Sequence, residues 1–314
     1  MTEEQRKKIY AELENTVFEL SKPESYNLVY HNPHHGEHMP SISRLGKIVD
    51  LAREIIFPGY FGNDILKEKT ISYYTGVNVD KLFILLTEQI KRGLCFACDN
   101  NLDPKTMNCI NCEGVSEEIA AKFIKQLPQI RHLLSTDVKA AYNGDPAAKS
   151  YGEIIFCYPV IKALLNYRIA HELVKLNVPL IPRIITEMAH SETGIDIHPE
   201  AKIGEYFNID HGTGVVIGAT CIIGNHVQIY QGVTLGAKSF PLDEHGNPIK
   251  GIPRHPIVED NVVIYSNATI LGRITIGKGS MIGGNVWITQ DVPPGSKILQ
   301  SKTKQMVLTD GAGI

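Results

Sequence analysis

The chain has 314 residues, 43% hydrophobic and 21% charged, enough for two domains of ordinary globular composition. Thirty-one Lys and Arg against thirty-four Asp and Glu leave a net charge of −3, so no strongly basic surface calls for nucleic acid or an anionic membrane. No apolar run reaches the roughly 18 residues of a membrane span, and the charged start, Met1 to Lys8, has no apolar core behind it; without a visible signal peptide the chain reads as cytoplasmic.

Ile9, Leu13, Val17 and Leu20 recur three or four apart and predict an amphipathic helix over Glu3–Leu20 that packs on something. His31, His34, His35 and His38 follow among Pro33, Gly36 and Pro40. These turn residues argue for a loop, the rings share no helix face, and no site is assigned to them. Ser41 or Ser43 caps a helix through Leu45, Ile48, Val49, Ala52, Ile55 and Ile56, ended by Pro58 and Gly59. Asn78 or Asp80 opens another through Leu82, Leu85, Leu86 and Ile90, stopping near Gly93.

Cys95, Cys98, Cys109 and Cys112 then form two C-x-x-C pairs with ten residues between them. Each pair resembles a zinc knuckle: a tight turn aims two sulfurs at one point, and four thiolates complete the tetrahedron of a structural zinc. The gap is shorter than the roughly 15 to 20 residues of common zinc ribbons. Reduced thiols in a surface hairpin, or a redox pair, are the other readings. A four-sulfur site has no open position, so its role would be to hold a loop. Cys157 and Cys221 read as small buried hydrophobes.

Ser116 with Glu117 and Glu118 starts a helix through Ile119, Phe123, Ile124 and Leu127 that Pro128 interrupts. Residues 136–146 predict a short helix and a turn, and Gly152 to Asn177 a long apolar helix. Pro179 and Pro182 begin another that ends near Gly194.

Beyond that point an aliphatic residue returns every sixth position. Ile197, Ile203 and Ile209 are followed, after a slip of two, by Ile217, Ile223, Ile229 and Leu235. The register resumes at Val258, Ile264, Ile270, Ile276, Ile282 and Ile288. Gly204, Gly218, Gly224, Gly236, Gly277 and Gly283 come directly after six of them. Six is a multiple of the strand period of two, so each unit can be a short strand with its aliphatic side chain inward, then a tight corner. Hexapeptide repeats mark a parallel β-helix, in which stacked coils make one continuous core. At three units per coil, as in known hexapeptide proteins, the segment makes roughly five coils about 4.8 Å apart. The slip falls at Gly212-Thr213-Gly214, where the coil bulges and can push His211 out of the wall. Gly236 to Val258, with Pro241, Gly246, Pro248, Gly251 and Pro253, is too long and turn-rich for a coil and predicts an excursion.

Asp145-Pro146, Tyr167-Arg168-Ile169-Ala170-His171, Asp196-Ile197-His198-Pro199, Ile209-Asp210-His211-Gly212-Thr213-Gly214, Gln231-Gly232-Val233-Thr234-Leu235-Gly236 and Arg254-His255-Pro256 together resemble the serine O-acetyltransferases of cysteine biosynthesis. The resemblance covers about residues 135–296; the first 130 residues and the cysteine cluster lie outside the familiar bacterial pattern. It implies an α+β multidomain chain: an all-α N-terminal domain, 1–194, with a Cys-rich insertion at 95–112, then a left-handed parallel β-helix, 195–296. An excursion loop at 237–257 and a tail at 297–314 complete it. The family forms trimers through the solenoid, often paired into hexamers through the helical domain.

The chemistry follows from the residues as well. An amino-acid hydroxyl is a poor nucleophile at neutral pH, so attack on a thioester needs a base poised near 7, which suits His211. The resemblance makes His211 the general base and Asp196 the carboxylate that orients it, with partners that can come from adjacent subunits. It places Asp145 and Asp210 at the amino-acid site, Arg254 on the substrate carboxylate and His255 beside it; Arg254 suits a bidentate clamp. His198 and His226, at coil corners, are expected to face solvent. Acetyl-coenzyme A would lie along Gly236, Ala237, Ser266 and Gly284, where small residues let its arm approach the backbone, with Lys238, Lys278 and Lys302 as phosphate contacts. The implied product is O-acetylserine. A terminal isoleucine, here Ile314, docks some members into cysteine synthase, and cysteine inhibits some at the serine site. The competing readings are another hexapeptide acetyltransferase for sugars or xenobiotics, a zinc-dependent carbonic anhydrase, and a non-catalytic zinc-bearing scaffold.

Overall fold

The computed structural model describes residues 1–33, 36–62, 66–99 and 112–301, helical as far as Thr193 and a β-solenoid beyond it. Helix α1, Glu3–Leu20, opens on a capping box between Thr2 and Gln5. The packing expected of it does not occur: no residue of α1 is buried, and Ile9, Leu13, Val17 and Leu20 are exposed. After the short α2, Pro23–Tyr26, helix α3, Ile42–Ile56, is capped by Ser41, whose Oγ accepts from Arg44 N at 3.4 Å. Leu45, Ile48, Val49, Ala52, Ile55 and Ile56 form its buried stripe.

Helix α4, Ile71–Asp99, begins before Asn78 and runs through Gly93. A Cβ at Gly93 would stand 3.1 Å from the Pro179 carbonyl oxygen, so this glycine permits a close approach instead of ending the helix. Helix α5, Cys112–Gly144, likewise continues through Pro128. The missing hydrogen bond is outweighed by a buried stripe on both sides of it, Ala120, Phe123, Leu127, Ile130 and Leu134. The single helix expected from Gly152 to Asn177 is two, α6, Tyr151–Cys157, and α7, Pro159–Lys175. Pro159 disfavours the helical region for its predecessor, and Tyr158 is extended at φ −82°, ψ 125°. Helix α8, Ile181–Thr193, ends at Gly194 in the left-handed region.

The solenoid is a three-faced prism of parallel strands. The first face stacks β1 (Asp196–Ile197), β4 (Val216–Ile217), β7 (Thr234–Gly236), β10 (Thr269–Leu271) and β13 (Trp287–Ile288). The second stacks β2 (Lys202–Ile203), β5 (Ile222–Ile223), β8 (Ile257–Val258) and β11 (Thr275–Ile276). The third stacks β3 (Asn208–Asp210), β6 (Gln228–Tyr230), β9 (Val263–Ile264), β12 (Met281–Ile282) and β14 (Lys297–Ile298). The sixfold aliphatics are its core: Ile197, Ile217, Leu235, Ile270 and Ile288 lie in register on one face, and all are buried.

The helical part is locked to the first coil by the Tyr167–His171 run. Tyr167 Oη donates to the Ala201 carbonyl at 2.6 Å, and Arg168 donates to the carbonyls of Ile203 and Gly204 at 2.9 and 2.8 Å. Asp137, on α5, holds the same guanidinium and also accepts from Phe207 N. The lock fixes the α5–α6 turn over the edge of the solenoid. No helix among the described residues is long and apolar enough to cross a membrane.

Candidate active site

The two-residue slip is a corner between the third and first faces. His211, Gly212 and Gly214 take φ of +57°, +89° and +78° there. A Cβ at Gly212 would stand 2.5 Å from Ile195 Cδ1, so the corner closes only on glycine. His211 is exposed and lines a cleft of about 380 Å³ with Asp145, Tyr158, Asp210 and Thr213. Asp145 sits in the turn after α5: Ala147 N donates to Oδ1 at 2.8 Å and Tyr158 Oη to Oδ2 at 2.5 Å. These bonds hold its carboxyl below the usual range, and the Asp145 carboxylate pushes the Tyr158 phenol up to about 12.

Arg254 and His255 stand at the opposite edge of the first face, where the excursion re-enters the coil. Thr220 organises them. Its hydroxyl accepts from Arg254 N at 2.9 Å and His255 N at 3.1 Å, while its backbone N–H donates to His255 Nδ1 at 3.1 Å. The hydroxyl lies 2.9 Å from the same nitrogen. With donors on Nδ1, the ring proton belongs on Nε2. Burial, with Arg254 and Arg273 nearby, lowers His255 to about 4, so the ring is a neutral N–H donor. Arg254 Nε is buried without a hydrogen-bond partner, and the guanidinium lies over the Phe240 ring at 5.7 Å.

The chain is similar to known proteins in sequence and in fold. Residues 255–290 match the bacterial transferase hexapeptide (six repeats) family. The plasmid serine acetyltransferase of Synechococcus elongatus is 52% identical over 276 residues, 88% of this chain and 86% of that one. The chain belongs to the serine acetyltransferase family. The Entamoeba histolytica serine acetyltransferase isoform 3, solved with cysteine, is 32% identical with a TM-score of 0.69 over 91% of this chain and 92% of that one. A serine acetyltransferase solved with CoA is 26% identical, with a TM-score of 0.51 over 83% and 97%. The solenoid is the left-handed β-helix of these enzymes, and the chain is an acyltransferase.

Within this serine acetyltransferase-family chain most of the expected site residues divide between the two edges, and Asp196 stands in β1 on the face between them. Asp145, Asp210 and His211 share one cleft, and Asp196, Arg254 and His255 do not line it. The expected coenzyme contacts divide in the same way. Gly236 ends β7, and Ala237 and Lys238 follow it on the Arg254 edge. Ser266 and Gly284 lie on the His211 edge, where Asn285 N donates to the Ser266 carbonyl at 3.0 Å and a Cβ on Gly284 would stand 3.0 Å from that oxygen. Lys278 is at a third corner, 3.9 Å from Asp260, apart from both groups. Lys302 and Ile314 lie outside the described residues.

Asp196 meets Arg183 at 3.7 Å, and Arg183 also holds Glu187 at 2.5 Å. With His190, these two acids are the one group of three potential metal ligands within 4.8 Å among the described residues, and Arg183 pairs with both acids. His198 does not face solvent as expected: it is half-buried, and burial, then Arg183, lowers it to about 4. His226 is exposed and stacks on Tyr206 at 4.4 Å. The cysteines differ from a pair of knuckles. Cys95 and Cys98 occupy the last turns of α4 and Cys112 begins α5, while Cys109 lies outside the described residues. Cys95 is buried against Cys112, and burial raises its thiol to about 12. Cys221 is buried, as read, but Cys157 is exposed. Thr220 and Tyr158 were missed; the Tyr158-Pro159 pair was the available signal, since proline biases its predecessor away from the helical region.

Proposed function

We propose that the protein transfers the acetyl group of acetyl-coenzyme A to the hydroxyl of L-serine, giving O-acetylserine for cysteine biosynthesis. The observation that carries this reading is His211, exposed on its bulged corner in one cleft with Asp145 and Asp210. His211 takes the hydroxyl proton, the oxygen attacks the thioester carbonyl, the C–S bond breaks, and the proton ends on the coenzyme A thiol. Asp145 and Asp210 receive the serine ammonium, Arg254 its carboxylate, and His255 donates from Nε2. Asp196 supports the imidazolium of His211.

Because these groups occupy two edges of one prism face, the complete site forms where the His211 edge of one protomer meets the Arg254 edge of its neighbour in a homotrimer or hexamer. Gly236, Ala237 and Lys238 then face Ser266 and Gly284 across the groove that takes coenzyme A. The enzyme works as a cytoplasmic protein, and Ile314 docks into cysteine synthase; deleting Ile314 abolishes co-elution with the sulfhydrylase, and retained co-elution removes that partner. The test of the reaction is acetyl-coenzyme A consumption, followed at the thioester absorbance across amino acids and sugars. Serine-dependent consumption supports the reading, whereas transfer to a sugar alone, or none, overturns it. His211 shares its cleft with two carboxylates, Asp145 and Asp210, a set suited to a substrate ammonium and not to the three-histidine zinc of the carbonic anhydrase alternative.

The zinc reading rests on Cys95 and Cys112 meeting where α4 and α5 approach each other, with Cys98 one turn away; Cys109, the fourth expected ligand, lies outside the described residues. Bound zinc would tie the two helix ends together. One zinc per chain in the purified protein, lost in Cys95→Ser, supports it. Metal-free protein removes it.

A further inference from the structure

Asp145 is the part of the acceptor site built outside the solenoid. It stands in the turn between α5 and α6, tied to the prism through the Arg168 lock, and on its own would be a short side chain on a surface turn. Two donors restrain it. Ala147 N occupies Oδ1, as an Asx turn does, and Tyr158 Oη occupies Oδ2 at 2.5 Å.

Tyr158 is there because of its neighbour. Pro159 takes the first position of α7 and forces Tyr158 into the extended region, breaking what the apolar pattern would otherwise make one helix. Val160 and Ile161 are buried directly after it, which anchors the break. Ser150 Oγ caps α6 by accepting from Glu153 N at 3.1 Å, so the turn is closed from the other side too. The phenol and Asp145 line the same cleft as His211.

We infer that Tyr158 is a positioning residue for the acceptor: its hydroxyl holds the Asp145 carboxylate in one orientation, so that a substrate ammonium meets a pre-set anion. The inference rests on the reading of the cleft as the serine site. Each Asp145 oxygen has a second lone pair beyond the one already engaged, and these accept from the ammonium. Pre-setting the carboxylate removes an ordering cost on binding and touches none of the atoms that react, so its effect falls on acceptor affinity. It also favours acceptors with an amino group over hydroxyl compounds without one. A staple that merely closes the α5–α6 turn would instead alter stability and the affinity for both substrates together.

The experiment is steady-state kinetics of the full chain carrying Tyr158→Phe, alone and with Asp145→Asn. The expected result is a roughly tenfold rise in KM for serine, the scale of one hydrogen bond to a charged group, with a smaller change in kcat. KM for acetyl-coenzyme A and the thermal midpoint stay at wild-type values. In the Asp145→Asn background the same substitution adds little, because its effect passes through that carboxylate. Pro159→Ala, which keeps the phenol but lets α6 and α7 merge, raises KM for serine in the same direction. An unchanged serine KM in Tyr158→Phe, or a full additional loss on top of Asp145→Asn, overturns the inference, as does a parallel shift in both KM values with a lowered midpoint. Wild-type protein that does not acetylate serine overturns the reading of the cleft instead.

Discussion

Asp137 accepts both Nη2 and Nε of Arg168, at 3.0 and 3.1 Å, and neither side chain is more than 4% exposed. The pair bridges α5 and α7 while its guanidinium reaches two carbonyls of the first coil. Removing one partner strands the other charge in the interior. Asp137→Ala is therefore expected to cost about 3–5 kcal/mol, read as a lowered midpoint in denaturant with an unchanged slope. A loss below about 1 kcal/mol, the range of surface pairs, would show that the lock is not needed.

His211→Ala should fold and bind acetyl-coenzyme A as the wild type does, while turnover drops on the order of a hundred- to ten-thousandfold, the usual weight of a general base. Isothermal titration with coenzyme A and turnover with saturating serine separate the two effects. Near-normal turnover would take His211 out of its assigned role.

His255 has room for its ring only because residue 218 lacks a side chain: a Cβ there would overlap its Cδ2 and Nε2. Thr220 holds the ring from the other side, so it cannot step back. Gly218→Ala should lower kcat/KM about a hundredfold, the cost of misplacing a group by roughly an ångström, with little loss of thermal stability. Equal kinetics in the two proteins would mean that the position of His255 is not critical.

Acidification has a defined sign at His198 and His255. Both are lowered to about 4 from an ordinary value of 6.5, so between those limits the unfolded chain binds more protons than the folded one. Stability from these groups is complete above pH 6.5, declines as the pH falls toward 4, and levels off below. Thermal midpoints measured across that window should fall less steeply in His198→Asn or His255→Asn than in the wild type. Identical slopes would contradict the lowered values.

The solenoid was legible because a period of six leaves one inward aliphatic per unit, and every such residue from Ile197 to Ile288 is in the core. The bulge at His211 could be seen as a broken count. The helices are harder to read, because glycine and proline look like terminators wherever they stand. Gly93 and Pro128 each sit inside a helix whose buried stripe outweighs the local cost, whereas Pro159 does break one. Nothing in a linear pattern shows that Arg183 holds Asp196 or that Thr220 selects the tautomer of His255, since the partners are brought together only by coiling. The exposure of α1 was equally invisible: a periodic stripe states what a helix can bury, not what is present to cover it.

The separation of His211 and Arg254 onto opposite edges has a genetic consequence in the proposed ring of three. A chain damaged at one edge still lends its sound edge to the next chain around. Co-expressed His211→Ala and Arg254→Ala chains, each inert alone, would therefore generate some intact junctions and recover part of the output. Two alleles damaged on the same edge would not complement each other.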